Sequence, residues 1–166
     1  SGVAAAHSAR ANALTRLGRR TEALAAGDAA VLAATARGRA GTDAATLALA
    51  LLRRGEARWR IQQAEGGLQD GRRSLTLCER VADLSGQARA LWAIGAILAT
   101  QGREREAQEA VVRGLACARA CGDDLALGQL LNLYVFWGAD PAVHLRALRE
   151  ARSAFLRAGR LDRLVV

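Results

Sequence analysis

The stretch ALWAIGAILATQGREREAQEAVVRGLACARACGD, residues 90–123, carries the clearest fold signal in the chain. Apolar residues recur in it every three or four positions, which is the spacing of one face of an α-helix. Gly102 and Gly122 interrupt this pattern after helix-length segments, and glycine is the residue that most often ends a helix. The stretch therefore predicts two helices joined by a tight turn.

Glycines recur at a fixed spacing along the rest of the chain. Gly66, Gly102 and Gly138 are separated by one constant period of about 36 residues, and Gly18 precedes Gly66 by one such period and a third of another. A second glycine follows each of these after about 20 residues, at Gly38, Gly86, Gly122 and Gly159. The pattern predicts four helical hairpins, in which the first glycine makes the turn and the second ends the partner helix.

Eight helices follow from this register, near residues 4–17, 21–36, 43–64, 68–84, 87–100, 104–120, 124–137 and 141–158. Start signals at Thr42-Asp43, Asp123-Asp124 and Asp140-Pro141 agree with it. The extra third of a period, around 38–51, is expected to lengthen the connection and the first helix of the second hairpin. Small residues predict close helix contacts at Ala23, Ala30, Gly71, Cys78, Ala107, Gly114, Val143 and Glu150 beside Ala151.

Composition agrees with an all-α protein. The 166 residues are 51% hydrophobic but 4% aromatic, with one Pro, and alanine and leucine dominate. This length is typical of one domain, so residues 1–166 are interpreted as a single repeat domain. No apolar run is long enough to span a membrane. The chain starts at Ser1 without a methionine, which suggests a fragment of a larger protein.

The charged residues and the cysteines indicate the source and location of the protein rather than a reaction that it catalyses. All 24 basic residues are arginine, against 16 acidic residues, which gives a net charge of +8 and suggests a G+C-rich bacterial genome. The arginines alternate with acids, as in Arg103-Glu104-Arg105-Glu106, so they argue against direct nucleic-acid binding. Three cysteines fit reduced thiols and a cytoplasmic location better than a disulfide framework.

A helical hairpin of about 36 residues resembles the tetratricopeptide repeat. Leu131 stands where glycine is usual in the fourth unit. His7, Arg10, Arg58 and Trp59 depart from the pattern in the first two units. The best match is the third unit, whose apolar and small positions are Leu91, Ile94, Gly95, Leu98, Gly102, Ala107, Gly114 and Leu115. The resemblance implies a right-handed α-solenoid of about four tetratricopeptide-like hairpins.

The long period and the Gly122-Asp123 pair are similar to the divergent repeats of bacterial regulators, including the sensor superhelix of LuxR-type ATP-dependent transcription activators. This implies a non-enzymatic scaffold that binds a protein, a peptide or a small effector in its concave groove, beside neighbouring domains of the same chain. The family's groove positions fall on Asn12, Arg53, Arg60, Arg89, Trp92 and Asn132. Three arginines there favour an anionic ligand. The alternative is a structural module for self-association.

No constellation for catalysis, metal or cofactor binding is evident. The two histidines, His7 and His144, lie at opposite ends of the chain. Cys117 and Cys121 share a helix face but supply only half of a structural zinc site, so both are interpreted as packing residues. Tyr134 and Trp137 are expected in the core, whereas Trp92 is expected either in the core or at a ligand.

The last helix is predicted to sort its residues between two faces. Arg146, Arg149, Arg152 and Arg157 fall within an arc of about 140°. The opposite side carries Val143, Ala147, Leu148, Ala151, Ala154 and Phe155. The arginine face is interpreted as a solvated outer surface or as a docking site for an acidic neighbouring domain.

Overall fold

A computed structural model of the chain describes residues 2–36, 43–137 and 140–160. These residues form eight α-helices and one short 3-10 helix, and no strand occurs among them, so the prediction of an all-α fold is confirmed. The helices are α1 (Gly2–Arg16), α2 (Arg20–Thr35), α3 (Ala44–Arg60), α4 (Ala64–Arg80), α5 (Leu84–Thr100), α6 (Glu104–Cys121), α7 (Asp124–Tyr134) and α8 (Pro141–Arg157), with the 3-10 helix at Val135–Trp137.

The chain divides into two compact units, Ser1–Gly86 and Gln87–Val166. In the first unit α1 contacts α2 and α3, α2 contacts α3, and α3 contacts α4. In the second unit α6 contacts α7, and α7 contacts α8. Side chains add contacts from α5 to both α6 and α7. Both units thus contain contacts between consecutive helices and between a helix and the next but one.

The predicted glycine register is wrong in the second hairpin. The turn between α3 and α4 lies at residues 61–63, so Gly66 belongs to the first turn of α4, and Gly86 likewise lies inside α5. The left-handed residues of four consecutive turns are Gln62, Ala82, Gly102 and Gly122, with φ of 67°, 54°, 71° and 71°. The step from each of these turns to the next is constant. A hairpin here therefore repeats after two such steps, which is a longer period than the one predicted from Gly66 and Gly102.

Two physical reasons explain this error. A single alanine or glutamine can occupy a left-handed turn position at a cost of about 1–2 kcal/mol, so a turn does not require glycine. Conversely, a glycine can be needed inside a helix for space, since a Cβ at Gly86 would lie 2.5 Å from Cys78 Sγ.

The wrong register also misplaced the extra residues. The first helix of the second hairpin, α3, was predicted to be longer than the others. This prediction is wrong, because α3 spans 17 residues, as α4 does. The connection around Gly38 and the turn glycine Gly138 lie outside the described residues.

Close helix contacts are made at small residues, as predicted for the second helices of the hairpins. A Cβ added at Gly114 of α6 would lie 2.8 Å from Leu130 Cδ2 of α7 and 3.2 Å from Leu91 Cβ of α5. Most of the other predicted small positions are buried, whereas Val143 and Glu150 are half-buried. Glycines also face the following helix within 3.0 Å of an added Cβ at Gly27, Gly55, Gly95 and Gly128.

Aspartate side chains cap the first turns of the helices at the predicted start signals. Asp43, Asp123 and Asp140 accept hydrogen bonds from the backbone N–H groups of Ala45, Ala126 and Ala142. Each bond satisfies a donor that has no partner inside the helix. The Thr46 hydroxyl also donates to Asp43, and together with the Ala45 N–H it lowers the pKa of that carboxyl.

Replacing Gly114 by leucine tests the packing. The new side chain must displace Leu130 and Leu91, so we expect Gly114→Leu to destabilise the protein by about 1–3 kcal/mol. Urea denaturation followed by far-ultraviolet circular dichroism measures the change. A mutant that unfolds at the parent's urea concentration would show that α6 does not approach its neighbours this closely.

A matched pair of substitutions tests the corrected turns. Ala82→Gly removes left-handed strain of about 1–2 kcal/mol but adds about 0.5–1 kcal/mol of unfolded-chain entropy. We therefore expect a net stabilisation of up to about 1 kcal/mol from Ala82→Gly and a loss of similar size from Gly102→Ala. Urea denaturation of the two variants gives both values. Changes of the same sign would contradict the assignment of residues 82 and 102 to equivalent turn positions.

Candidate functional site

The middle turns of α5 and α7 are largely buried, and each helix leaves a line of side chains accessible there. In α5 every residue from Ala90 to Leu98 is buried except Trp92, and Arg89 is half-exposed one turn earlier. In α7 residues 126–131 are buried except Gln129, and Leu125 and Asn132 on either side of them are half-buried. We call these five residues the α5/α7 strip.

The two lines lie on the same side of the second unit. Arg89 near the start of α5 contacts Asp123 at the start of α7, and Gly95 faces Leu133 later in α7, so the two helices run parallel. Leu91 and Leu130, the residues of each helix that face Gly114 of α6, point about 100° or more away from the strip residues. The strip is therefore the surface that α5 and α7 present away from α6.

Arg89 is already engaged within the protein. Its Nε and Nη2 both lie 2.9 Å from Asp123 Oδ2, and the Asp123 side chain is only 8% exposed. Because the other oxygen of Asp123 accepts the Ala126 N–H, this carboxylate both caps α7 and neutralises Arg89. The arginine helps to position α7 against α5, and part of its charge is unavailable to an external anion.

The remaining strip residues combine an indole with two unpaired amides. Trp92 is half-buried and packs against the core that α5 to α8 share, as Leu125 does. Neither Gln129 nor Asn132 makes a side-chain hydrogen bond in the part of the chain that the structure describes. One turn beyond Asn132, Phe136 is 78% exposed. An aromatic surface beside free amide donors and acceptors can bind a polypeptide backbone and its side chains.

The other predicted groove residues lie in the first unit. Asn12 is half-buried on α1. Arg53 on α3 is paired with Glu56 at 2.9 Å, and the two side chains are 19% and 11% exposed. Arg60 is exposed and stacks over Trp59, with 4.5 Å between its Cζ and the ring centroid. Arg53 and Arg60 share the accessible face of α3.

A buried charge cluster in the first unit serves structure. Asp70 of α4 is 3% exposed and accepts hydrogen bonds of 2.8 and 2.7 Å from Arg54 and of 2.9 Å from Arg58. Arg54 also lies 3.5 Å from Asp28 of α2. Hydrogen bonding to Asp70 raises the pKa of Arg54. The cluster joins α2, α3 and α4, and its buried carboxylate is fully paired.

No cluster of metal-binding side chains is found among the described residues. They contain no group of three or more His, Cys, Asp or Glu side chains that could hold a metal ion. Cys117 lies 3.7 Å from Gln87 Oε1, and Cys121 Sγ lies 3.7 Å from the Ala118 carbonyl oxygen. His144 Nε2 is buried without a hydrogen-bond partner among these residues. None of the helices in the described ranges combines the length and apolarity needed to cross a membrane.

Sequence analysis missed three accessible residues. Gln129 lies one turn before Asn132 on the same face, and helical spacing alone could have found it. Phe136 is exposed because the 3-10 helix turns it away from the core, whereas Tyr134 and Trp137 pack partly against that core. Leu148 was expected on the apolar side of α8 but is 46% exposed, since that side is filled by Ala147, Ala151, Ala154 and Phe155.

Comparison with known proteins adds no relative. A scan of the chain against protein-family models finds no match, and a search among curated proteins finds no significant similarity.

The environments of the cysteines predict an order of thiol reactivity. Burial, reinforced by the Asp83 carboxylate, raises the pKa of Cys78 to about 11, so at pH 8 only about one Cys78 thiol in a thousand is ionised. Cys121 is exposed. We expect iodoacetamide at pH 8 to alkylate Cys121 rapidly and to leave Cys78 intact until urea unfolds the chain. Peptide mass spectrometry measures both, and equal rates in the folded protein would contradict the burial of Cys78.

Proposed function

We propose that the chain is a non-enzymatic binding scaffold whose α5/α7 strip holds an extended peptide segment of a protein partner. The observation that carries this proposal is the pair of half-buried amides, Gln129 and Asn132, which make no side-chain hydrogen bond within the described ranges and share the α5/α7 strip with Trp92. A side-chain amide can donate to a peptide carbonyl and accept from a peptide N–H at once. The indole supplies apolar contact area at a low cost in side-chain entropy.

An extended peptide suits the strip better than a small anion. Two of the three arginines expected to bind an anion, Arg53 and Arg89, are paired with carboxylates of this chain. An anionic ligand would have to displace Asp123 from Arg89 and would weaken the cap of α7. A peptide backbone carries no net charge and needs no such displacement. A small anionic effector is therefore a less favoured ligand of the strip than an extended peptide.

The wider setting of the proposal is a tetratricopeptide-like solenoid that serves as the sensor module of a bacterial regulator. Contacts of α1 with α3 and of α5 with α7 favour a stack of hairpins, because such folds place the first helix of one hairpin beside the first helix of the next. In this proposal each unit has its own binding surface, formed by the accessible faces of its first helices. The first unit supplies Asn12, Arg53 and Arg60, and the second supplies the strip. Neighbouring domains of a longer cytoplasmic chain would read the occupancy of these surfaces.

Self-association is the second candidate function. It is favoured by Leu17 and Leu32 of the first unit, which are 72% and 70% exposed. Multi-angle light scattering separates the two functions, because an assembly module must form oligomers and a peptide sensor need not. A dimer that Leu32→Gln dissociates would favour the assembly function.

Peptide selection followed by mutation tests the binding function. We expect binders from a displayed random peptide library to lose about tenfold in affinity with Asn132→Ala, since two hydrogen bonds are lost and peptide groups remain unpaired. Trp92→Ala should cost at least as much. Gln101→Ala is the matched control, because Gln101 is an exposed amide in the turn before α6. Fluorescence anisotropy of labelled peptides measures all three.

Two outcomes would overturn the proposal. If the selected peptides bind all three variants as tightly as the parent, the strip is not the binding site. If Gln101→Ala weakens them as much as Asn132→Ala, the amide at position 132 has no specific role. Urea denaturation of each variant separates a loss of contact from a loss of fold.

A further inference from the structure

Helix α8 presents a face to solvent that neither the core nor the α5/α7 strip uses. Leu145, Leu148 and Leu156 are 49%, 46% and 47% exposed. With about 100° per residue, these three leucines fall within about 80° of one another on the helix surface. Leu145 to Leu156 spans about 16 Å along the axis, at about 1.5 Å per residue. The leucines form a short, straight apolar stripe.

Exposed arginines lie in and beside this stripe. Arg152 lies one turn after Leu148 and one turn before Leu156 on the helix surface, and Arg149 lies one turn after Leu145. Both are exposed, as is Arg146, and the described part of the chain offers none of the three an ion pair. The other charges of α8 are already paired, Glu150 with Arg119 of α6 and Arg157 with Asp124 of α7. These pairs lie on the flank of α8 that faces α6 and α7, about 100° or more from Leu145.

We propose that this face of α8, formed by Leu145, Leu148, Leu156, Arg149 and Arg152, docks an acidic amphipathic helix of a partner protein. The apolar ridge of such a helix would cover the leucines, and glutamate or aspartate side chains along it would pair with the two arginines. Charge-assisted bonds to arginine are stronger than neutral hydrogen bonds and fix the orientation of the docked helix.

Charge argues against a second copy of this chain as the occupant. The helix carries four arginines, and its single acid, Glu150, is engaged by Arg119. Two α8 faces brought together would place unpaired arginines close to one another, and like charges in an interface are unfavourable.

The distribution of residues also argues against a membrane surface. A helix that lies in a bilayer interface separates its apolar face from its basic face. In α8 the arginines interrupt the exposed leucines, and the larger apolar face, with Ala147, Ala151 and Phe155, is buried inside the second unit. Only half-exposed leucines would remain for insertion.

A designed peptide tests the proposal on the whole chain. The probe is a labelled peptide of about three heptads with leucine at the a and d positions and glutamate at e and g, and the comparison peptide has lysine at e and g. We expect the glutamate peptide to bind with a measurable Kd by fluorescence anisotropy and the lysine peptide to bind roughly tenfold or more weakly. Equal binding of both peptides would overturn the role of the arginines.

Variants locate the site. The double variants Arg149→Glu with Arg152→Glu, and Leu145→Gln with Leu148→Gln, should each weaken the glutamate peptide roughly tenfold or more. The matched control is Arg73→Glu with Arg105→Glu, which changes the net charge by the same amount at exposed positions of α4 and α6 and should leave the Kd within about twofold. An equal loss in the control would show that bulk charge, not α8, binds the peptide. Because the arginine variant alters only exposed side chains, it remains informative even if the leucine variant fails to fold.

Two further measurements identify the other occupants. Binding to phosphatidylserine vesicles that the leucine variant abolishes, without binding of the glutamate peptide, would assign the face to a membrane and overturn the proposal. A dimer in light scattering that the leucine variant dissociates would assign the face to a second copy, which would also overturn it.

Discussion

Close approach of neighbouring helices at a glycine shapes both compact units of this protein. At Gly27, Gly55, Gly95, Gly114 and Gly128 a Cβ would lie within 3.0 Å of the following helix. The missing side chain lets a leucine, a phenylalanine or backbone of that helix fill the space. Alanines that are fully buried along the same interfaces keep the helices near this distance. With few aromatic residues, the chain gains its stability from many short contacts rather than from a few large buried side chains.

Tight packing has a consequence for function. When a helix packs closely against its neighbours, few side chains of its middle turns remain accessible. In α5 these include Arg89 and Trp92, and in α7 they include Leu125, Gln129 and Asn132. These residues do not contribute to the glycine contacts and are free to vary in chemistry. The proposed peptide site thus consists of residues of α5 and α7 that remain accessible after the helices have packed.

Electrostatic pairing decides which of the many arginines can act on a partner. In the first unit Arg54 and Arg58 form ion pairs with Asp70, and Arg53 forms one with Glu56. In the second unit Arg89 is paired with Asp123. Arg54, Arg58 and Arg89 thereby connect helices, and all four arginines lose part of their charge to their partners. Arg149 and Arg152 of α8 have no such partner among the described residues, and their charge is therefore available to an external carboxylate.

Sequence alone was sufficient to establish that the chain is helical, where most helices begin, and that Gly114 lies at a close contact. The helical state and the helix starts depend on helix propensity, periodicity and aspartate caps, which are readable within one or two turns. The contact at Gly114 was predicted from the recurrence of small residues along the chain. The groove positions implied by the tetratricopeptide resemblance include Arg53, Arg89, Trp92 and Asn132, and all four side chains are partly accessible. Local sequence could not assign Gly66 and Gly86 to the first turns of α4 and α5, because a glycine that ends a helix and a glycine that makes room for a neighbour look alike in sequence. Three-dimensional contacts were needed to show that Asp123 neutralises Arg89 and that Leu148 is exposed. Both outcomes depend on contacts with α7 or with the core, and local sequence carries no record of which residues those neighbours supply.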